Sequence, residues 1–340
     1  MKRQGTFPFT AIIGQEEMKK ALVLNVVNPR LGGVLIQGEK GTAKSTAVRA
    51  LADLLPPRLC IKGCKFHDDP NDKSNWCDEC HEKYDNAAPE TEELPMKVVE
   101  LPVSATEDRV VGTLDIEAAI KEGKRSFETG ILADANRNIL YVDEINLLDD
   151  HVVDVLLDSA AMGINTVERE GISYSHPARF SLVGTMNPEE GDIRPQLLDR
   201  FALSVYVAGE KDLDKRAEVI KRRLEYEDDP EEFIKKWEEE QQNEVHRIQR
   251  AMKLLPQVTT SNEILRMAAQ ISITLGVDGH RADIVLIKTA ETLAAVAGHT
   301  EVTKEDLREA AHLALPHRMR RRPFEEQKLD WENVDKVIDA

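Results

Sequence analysis

Apolar positions fall in short unbroken runs through the first two-thirds of the chain and at helical spacing beyond them. Residues 11–27 carry Ile12, Ile13, Met18, Leu22 and Val26 at the spacing of a helix. Gly32-Gly33-Val34-Leu35-Ile36-Gln37-Gly38 reads as a buried strand running into a glycine turn, and a helix follows from about Lys44 to Leu55. Residues 56–95 are polar, rich in Cys, Asp, Asn and Pro, and show little periodicity, so they are expected to form an insertion or loop. Val98 to Pro102 predicts a second strand, and 107–122 a helix broken at Gly112-Thr113. Asn138 to Asp143 is a short apolar strand ending in two acids, and 149–161 an amphipathic helix. Residues 166–174 alternate around Gly171 as a β-hairpin would, and Phe180 to Met186 predicts another buried strand. From about residue 210 the chain becomes charged and wholly helical in pattern.

Strands alternating with helices imply an α/β fold with a doubly wound parallel sheet. The expected organisation is an αβα domain over residues 1–225, carrying a Cys-rich insertion at 56–95, and an all-helical domain over 226–340. A length of 340 residues suffices for two such cores. No apolar run is long enough to span a bilayer, and Met1 to Thr6 lacks the apolar stretch of a signal peptide, so the expected compartment is the cytosol. The net charge of −17 repels phosphate backbones and counts against general nucleic-acid binding. Arg318, Arg320, Arg321 and Arg322 form a local basic patch, read as a solvated or subunit-contacting tail in preference to a nucleic-acid site.

Candidate chemistry begins at Gly38-Glu39-Lys40-Gly41-Thr42-Ala43-Lys44-Ser45, with Thr46 next, between a predicted strand and a predicted helix. That is the context of a phosphate-binding loop. Glycines let backbone N–H groups turn to the phosphates, and the helix N-terminus adds partial positive charge. Lys44 is the candidate holder of the β- and γ-phosphates, and Ser45 a candidate ligand of Mg²⁺. Ala43 stands where the pattern has its last glycine; a methyl group fits there if the backbone is helical. Ile139-Leu140-Tyr141-Val142-Asp143-Glu144 supplies the complement: Asp143 to hold the hydrated Mg²⁺ and Glu144 to polarise the attacking water. Asn187, after the strand ending at Met186, is placed to contact the γ-phosphate or that water. Arg200 is suited to stabilise charge in phosphoryl transfer across an interface, or else to pair with Asp199 within the chain.

The order of phosphate loop, Asp-Glu strand, polar Asn, Asp199-Arg200-Phe201 and helical lid resembles an AAA+ ATPase. Asp108 to Glu117, Val167 to Gly171, His176 to Phe180, Asn187 to Gly191 and Arg194 to Phe201 resemble the ATPase subunit I of magnesium chelatase. The resemblance runs from about Phe9 to Pro323. It implies ATP and Mg²⁺ as cofactors, with Asn187 as first sensor. It also implies Arg200 as an arginine finger acting in trans, and Arg281, followed by Ala282 where relatives often have Gly, as second sensor. It further implies a homo-oligomeric, hexameric ring and a related AAA+ partner bearing an integrin-like domain. A large porphyrin-binding protein, or its cobalt counterpart, completes the implied complex. Magnesium and cobalt chelatases use similar motors, so the ion stays open between Mg²⁺ and Co²⁺. A MoxR-type remodelling chaperone and a nucleic-acid motor are the competing functions.

All four cysteines lie close together as Cys60-x₃-Cys64-x₁₂-Cys77-x₂-Cys80, with His67 and His81 nearby. Such clustering suits metal or redox chemistry more than a disulfide framework. Three readings stay open: a structural Zn²⁺ site, an iron–sulfur cluster, and free or redox-active thiols.

Overall fold

The computed structural model describes residues 5–39, 41–84, 86–115, 126–169, 172–277, 279–319 and 331–339. Lys40, the end of the Asp108–Glu117 string, the Glu170-Gly171 turn and Arg320 to Arg322 lie outside the described residues.

The chain opens with α1 (Glu16–Val27), β1 (Val34–Gly38) and α2 (Lys44–Leu54), close to the predicted bounds. The stretch expected to be loop has a frame of its own. β2 (Arg58–Ile61) pairs antiparallel with β3 (Thr91–Leu94), and α3 (Asp78–Tyr84) lies between them. Its few large apolar groups, Phe66 and Trp76, are buried, which replaces the periodicity the sequence lacks.

β4 (Val98–Leu101) leads to α4 (Glu107–Val111), which ends at the predicted break at Gly112-Thr113; residues 116–122 of the expected helical stretch lie outside the described residues. Past Gly112 the chain is strand: β5 (Thr113–Asp115) pairs antiparallel with β6 (Ser126–Glu128). The two segments approach so closely that a Cβ on Gly112 would lie 2.5 Å from the Glu128 carbonyl oxygen. A helix cannot pass through that contact.

Then come α5 (Ile131–Ala135), β7 (Ile139–Val142) and α6 (Asp150–Met162). Asp149 caps α6 by accepting from the His151 N–H, and Gly163 ends it in the left-handed conformation. β8 (Ile164–Arg169) and β9 (Ile172–Pro177) form the predicted hairpin, and β10 (Ser181–Met186) the predicted buried strand. After α7 (Pro195–Leu198) comes a strand the pattern did not suggest, β11 (Leu203–Val207). The helices α8 (Leu213–Asp228), α9 (Pro230–Lys236), α10 (Glu238–Leu254), α11 (Asn262–Thr274), α12 (Arg281–Ala297), α13 (Lys304–Ala314) and α14 (Trp331–Asp339) complete the chain. The expected boundary at 225/226 falls inside α8.

The sheet is parallel throughout, in the order β11-β1-β10-β7-β4. Its central strands are buried on both faces, as a covered parallel sheet requires. Alternation along each strand sorts side chains into two cores. Val34, Ile36, Ile139 and Val183 join the core shared with α1, α2 and the C-terminal helices. Leu35, Leu140, Val142 and Leu182 join the core shared with α6, the β8–β9 hairpin and the Cys-rich insertion. The sheet thus stands between the helical lid and the insertion.

Candidate active site

β1 delivers the phosphate loop. At its end Gly38 has φ +146°, and a Cβ there would sit 1.9 Å from the Val207 carbonyl oxygen on the neighbouring strand. Only glycine fits. Gly41, with φ +80°, has open space where a side chain would be. Ala43, the residue before α2, is left-handed (φ 59°, ψ 22°). The helical backbone expected to accept its methyl group is therefore the left-handed one, which costs about 1–2 kcal/mol for an L side chain. The Lys44 ammonium donates to the carbonyls of Gly38 (2.6 Å) and Glu39 (3.1 Å), and the Thr42 hydroxyl also donates to Glu39 (2.9 Å). The loop is thus held in a ring by its own side chains.

β7 delivers the acids. One Asp143 oxygen accepts from the Tyr141 hydroxyl (3.0 Å) and the Thr185 hydroxyl (2.6 Å). Burial, and then the adjacent Asp143 carboxylate, hold the Tyr141 phenol above its ordinary range, so it stays protonated and donates. The Glu144 N–H donates to Thr185 Oγ1 (3.1 Å), and Glu144 is itself left-handed (φ 52°, ψ 52°). A left-handed glutamate is uncommon and is the kind of strain that gathers at functional sites. At the end of β10, Asn187 is buried and its Oδ1 accepts the Glu189 N–H (3.2 Å).

These residues enclose one cavity of about 450 Å³ that Lys44, Ser45, Thr46, Asp143, Glu144 and Asn187 all line. A second cavity of about 240 Å³ shares Gly41 to Ala43 and Thr46, and is walled by Ile12, Ile13 and Val219. Together they place an apolar recess beside a polar one. Tyr141, Thr185 and this apolar recess were not singled out from the sequence. Thr185 had a signal, being a hydroxyl near the C-terminal end of a mostly apolar strand.

Gly38 and Glu39 lie beside the larger cavity without lining it, and neither arginine candidate lines it. Arg200 pairs with Asp154 and, at 2.9 Å, with Asp158, both on α6. Asp199, the partner considered for it, instead binds Arg281 at the start of α12 (3.2 Å) and Arg318 (3.3 Å). The Arg318 side chain is fully buried and donates to the carbonyls of Asp199, Phe201, Ala202 and Ala314. Beside it, His317 shares a hydrogen bond with the Phe201 carbonyl, and burial pushes its pKa down to about 3. The member of the basic patch that is described is thus an internal anchor and not a solvated tail.

The cysteines do not gather as a set of four. Cys64, Cys77 and Cys80 come together, and the fourth place is taken by Asp68, with all ligand atoms within 4.8 Å of one another. Cys60 lies on β2, where its Sγ donates to the Arg58 carbonyl and accepts from Arg137. The cause is local: the Ile61 N–H donates to the Asp68 carbonyl (2.9 Å), closing a loop that reverses at Gly63 and at left-handed His67. That closure swings Asp68 to Cys64 and leaves Cys60 on the strand. The spacing signal was Cys64-x₃-Asp68, an acid inside a cysteine cluster.

The residues lining the larger cavity have the geometry to accept a magnesium–nucleotide complex. Gly41 leaves the loop open, an ammonium sits at the loop's centre, and a carboxylate pair faces it across the same cavity.

The family described as "AAA domain (dynein-related subfamily)" matches residues 86–201, and that described as "AAA lid domain" matches 265–339. The chain is 58% identical to a magnesium-chelatase subunit ChlI homolog of Methanocaldococcus jannaschii, over 99% of this chain and 92% of that one. It is 51% identical to the magnesium-chelatase subunit ChlI of a Nostoc species, over 95% and 87%. Among solved structures, a model of the BchI–BchD complex of magnesium chelatase matches with a TM-score of 0.56 and 45% identity, covering 98% and 99%. A putative ATPase of Cytophaga hutchinsonii, 17% identical with a TM-score of 0.63 and covering 96% and 91%, shares the fold. Among the described residues, no helix is long and apolar enough to cross a membrane. An AAA module and lid joined in one chain, at such identity from end to end, place this chain in the magnesium-chelatase subunit I family of AAA ATPases.

Proposed function

We propose that the chain is the ATP-hydrolysing motor of a metal chelatase, coupling hydrolysis to insertion of a divalent ion, Mg²⁺ or Co²⁺, into a tetrapyrrole such as protoporphyrin IX. The observation that carries this reading is the end-to-end likeness to magnesium-chelatase subunits, half or more of the residues being identical. In this reading Lys44 holds the β- and γ-phosphates, and Ser45 with Asp143 holds the Mg²⁺ of the nucleotide. Bound Mg²⁺ neutralises charge on the phosphates. Glu144 orients the attacking water and accepts its proton at a carboxylate oxygen. Asn187, fixed by its bond to the Glu189 N–H, presents its amide to the cavity as the sensor. Tyr141 and Thr185 fix the Asp143 carboxylate by two donated bonds. Ile12, Ile13 and Val219 offer an apolar seat for the base.

Arg200 and Arg281 act elsewhere than in this chain's own cavity. Arg200 reaches a neighbour's nucleotide in a hexameric ring, exchanging its α6 carboxylates for phosphate. Arg281 reaches its own subunit's nucleotide from the lid. The ring pairs with the AAA+ partner that carries an integrin-like domain and works on a large porphyrin-binding protein. Inserting the ion demands stripping its water and distorting the macrocycle, which a conformational cycle can drive.

Affinity purification from the native host, with ATP and Mg²⁺ present, tests the reading. Recovery of a very large porphyrin-binding protein is expected, and its identity reports the ion. Recovery of an unrelated integrin-domain protein alone would point to a remodelling chaperone. ATPase stimulation by DNA, with binding that falls steeply with salt, would point to a nucleic-acid motor. Lys44→Ala should abolish hydrolysis; persisting activity would sink the site assignment.

A further inference from the structure

We propose that Cys64, Asp68, Cys77 and Cys80 bind one zinc ion that clips the insertion together, and that Cys60 takes no part. Four groups of the right chemistry converge. Three thiols and a carboxylate offer one ligand atom each, all within 4.8 Å of one another. Cys64 and Cys77 have their sulfurs 3.9 Å apart. A disulfide requires about 2.05 Å. Two thiolates on one zinc at about 2.3 Å each, in tetrahedral array, stand about 3.8 Å apart. The spacing is therefore that of ligands around a single small ion. In an iron–sulfur cluster the thiolates on different irons are separated by the cluster itself, whereas here all four ligand atoms lie within 4.8 Å of one another.

Asp68 gives a second, independent sign. It is 1% exposed, and one carboxylate oxygen, Oδ1, has no hydrogen-bond partner among the described residues. A buried, unpaired carboxylate oxygen is costly unless a cation answers it. The other oxygen, Oδ2, accepts the Cys77 N–H at 2.7 Å, which fixes the carboxylate and leaves Oδ1 for the metal. Cys64 Sγ likewise accepts the Phe66 N–H at 3.4 Å, a bond suited to a thiolate. Thiolates with a carboxylate select a borderline-soft divalent ion such as zinc over Mg²⁺ or Ca²⁺.

The surroundings explain what the clip holds. Phe66, two residues from Cys64, stacks on His176 of β9 with ring centroids 4.6 Å apart, and its carbonyl accepts from Asn136. Trp76, before Cys77, donates to the Asp69 carbonyl. Binding joins the loop carrying Cys64 and Asp68 to α3, which carries Cys80, and displaces three thiol protons.

Full-length protein purified from zinc-containing medium, without chelator, tests this by elemental analysis and native mass spectrometry. About one zinc per chain is expected. Cys60→Ser should keep it, Cys77→Ser and Cys80→Ser should lose it, and Asp68→Ala should weaken zinc affinity by at least about tenfold. Should a cysteine variant fail to fold, cobalt exchanged into the wild-type chain reads the site directly: the absorption of a tetrahedral ion with three thiolates is expected. A folded wild-type chain without metal, an iron–sulfur spectrum, a Cys64–Cys77 disulfide, or loss of zinc from folded Cys60→Ser would each overturn the proposal.

Discussion

The nucleotide cavity and the cysteine insertion sit on the same αβα body and are built on opposite plans. The cavity takes its residues from the C-terminal ends of β1, β7 and β10, three neighbouring strands of one parallel sheet. Each is placed by the rigid ladder beneath it. The insertion takes Cys64, Asp68 and Cys77 from irregular backbone and Cys80 from a short helix. Only the short β2–β3 pair and α3 frame them, so side-chain contacts carry more of their placement. A sheet can present a site without a ligand; a loop of this kind needs its ligand to be a structure.

Variants that separate the two sites test that contrast. The largest expected effect is at Glu144: Glu144→Gln should lower ATP hydrolysis by about 100-fold or more, with nucleotide binding and metal content unchanged. ATPase assay beside elemental analysis checks both. Next is Cys80→Ser, which should destabilise the chain by several kcal/mol and lower Tm by roughly 5–10 °C. If the sheet presents the cavity independently, ATPase at low temperature should stay within about threefold of wild type. A larger drop would show the insertion to be part of the active site's support.

Acid gives a third test, once the lid joint is taken out of it. His317 has its folded pKa pushed from 6.5 to about 3 by burial, with Arg318 adding to the effect. The unfolded chain therefore binds a proton that the folded chain refuses. The stability due to neutral His317 is fully present above pH 6.5 and is lost as pH falls from 6.5 towards 3. In His317→Gln, melting temperature against pH should flatten over that window, leaving the insertion's own acid sensitivity to be read. The smallest effect is at Ala43: Ala43→Gly removes a left-handed alanine and should shift stability by no more than about 1 kcal/mol either way. Urea unfolding would measure it, with hydrolysis retained.

The same contrast governs what could be read from the sequence. That Lys44, Asp143, Glu144 and Asn187 would meet at the ends of neighbouring strands was legible, because buried strands announce themselves as apolar runs and fix the residues at their ends. The sheet was legible for the same reason, apart from β11, whose five residues follow the mixed 194–200 segment and, among the described residues, pair only with β1. The break at Gly112 was legible because glycine interrupts the helical pattern, whereas the close contact of Gly112 with Glu128 was not, since spacing does not encode it. In the insertion, composition announced a metal or redox site, but the ligand set depended on the closure from Ile61 to Asp68, which spacing alone does not encode. Arg318 was misread because charge suggests solvent, whereas here the buried guanidinium donates to four backbone carbonyls.

Asp199 is bound on one side by Arg281 at the tip of a lid helix and on the other by Arg318 after α13, and its next neighbour in the chain is Arg200. In mechanical terms that carboxylate is a pin through a two-armed lever. A swing of the lid arm either drags the pin or breaks its pairing with Arg281. If it drags, Arg200 is pulled from its seat on α6 in the same stroke. In the proposed ring, a displacement of Arg281 would then pass through Asp199 to its neighbour Arg200.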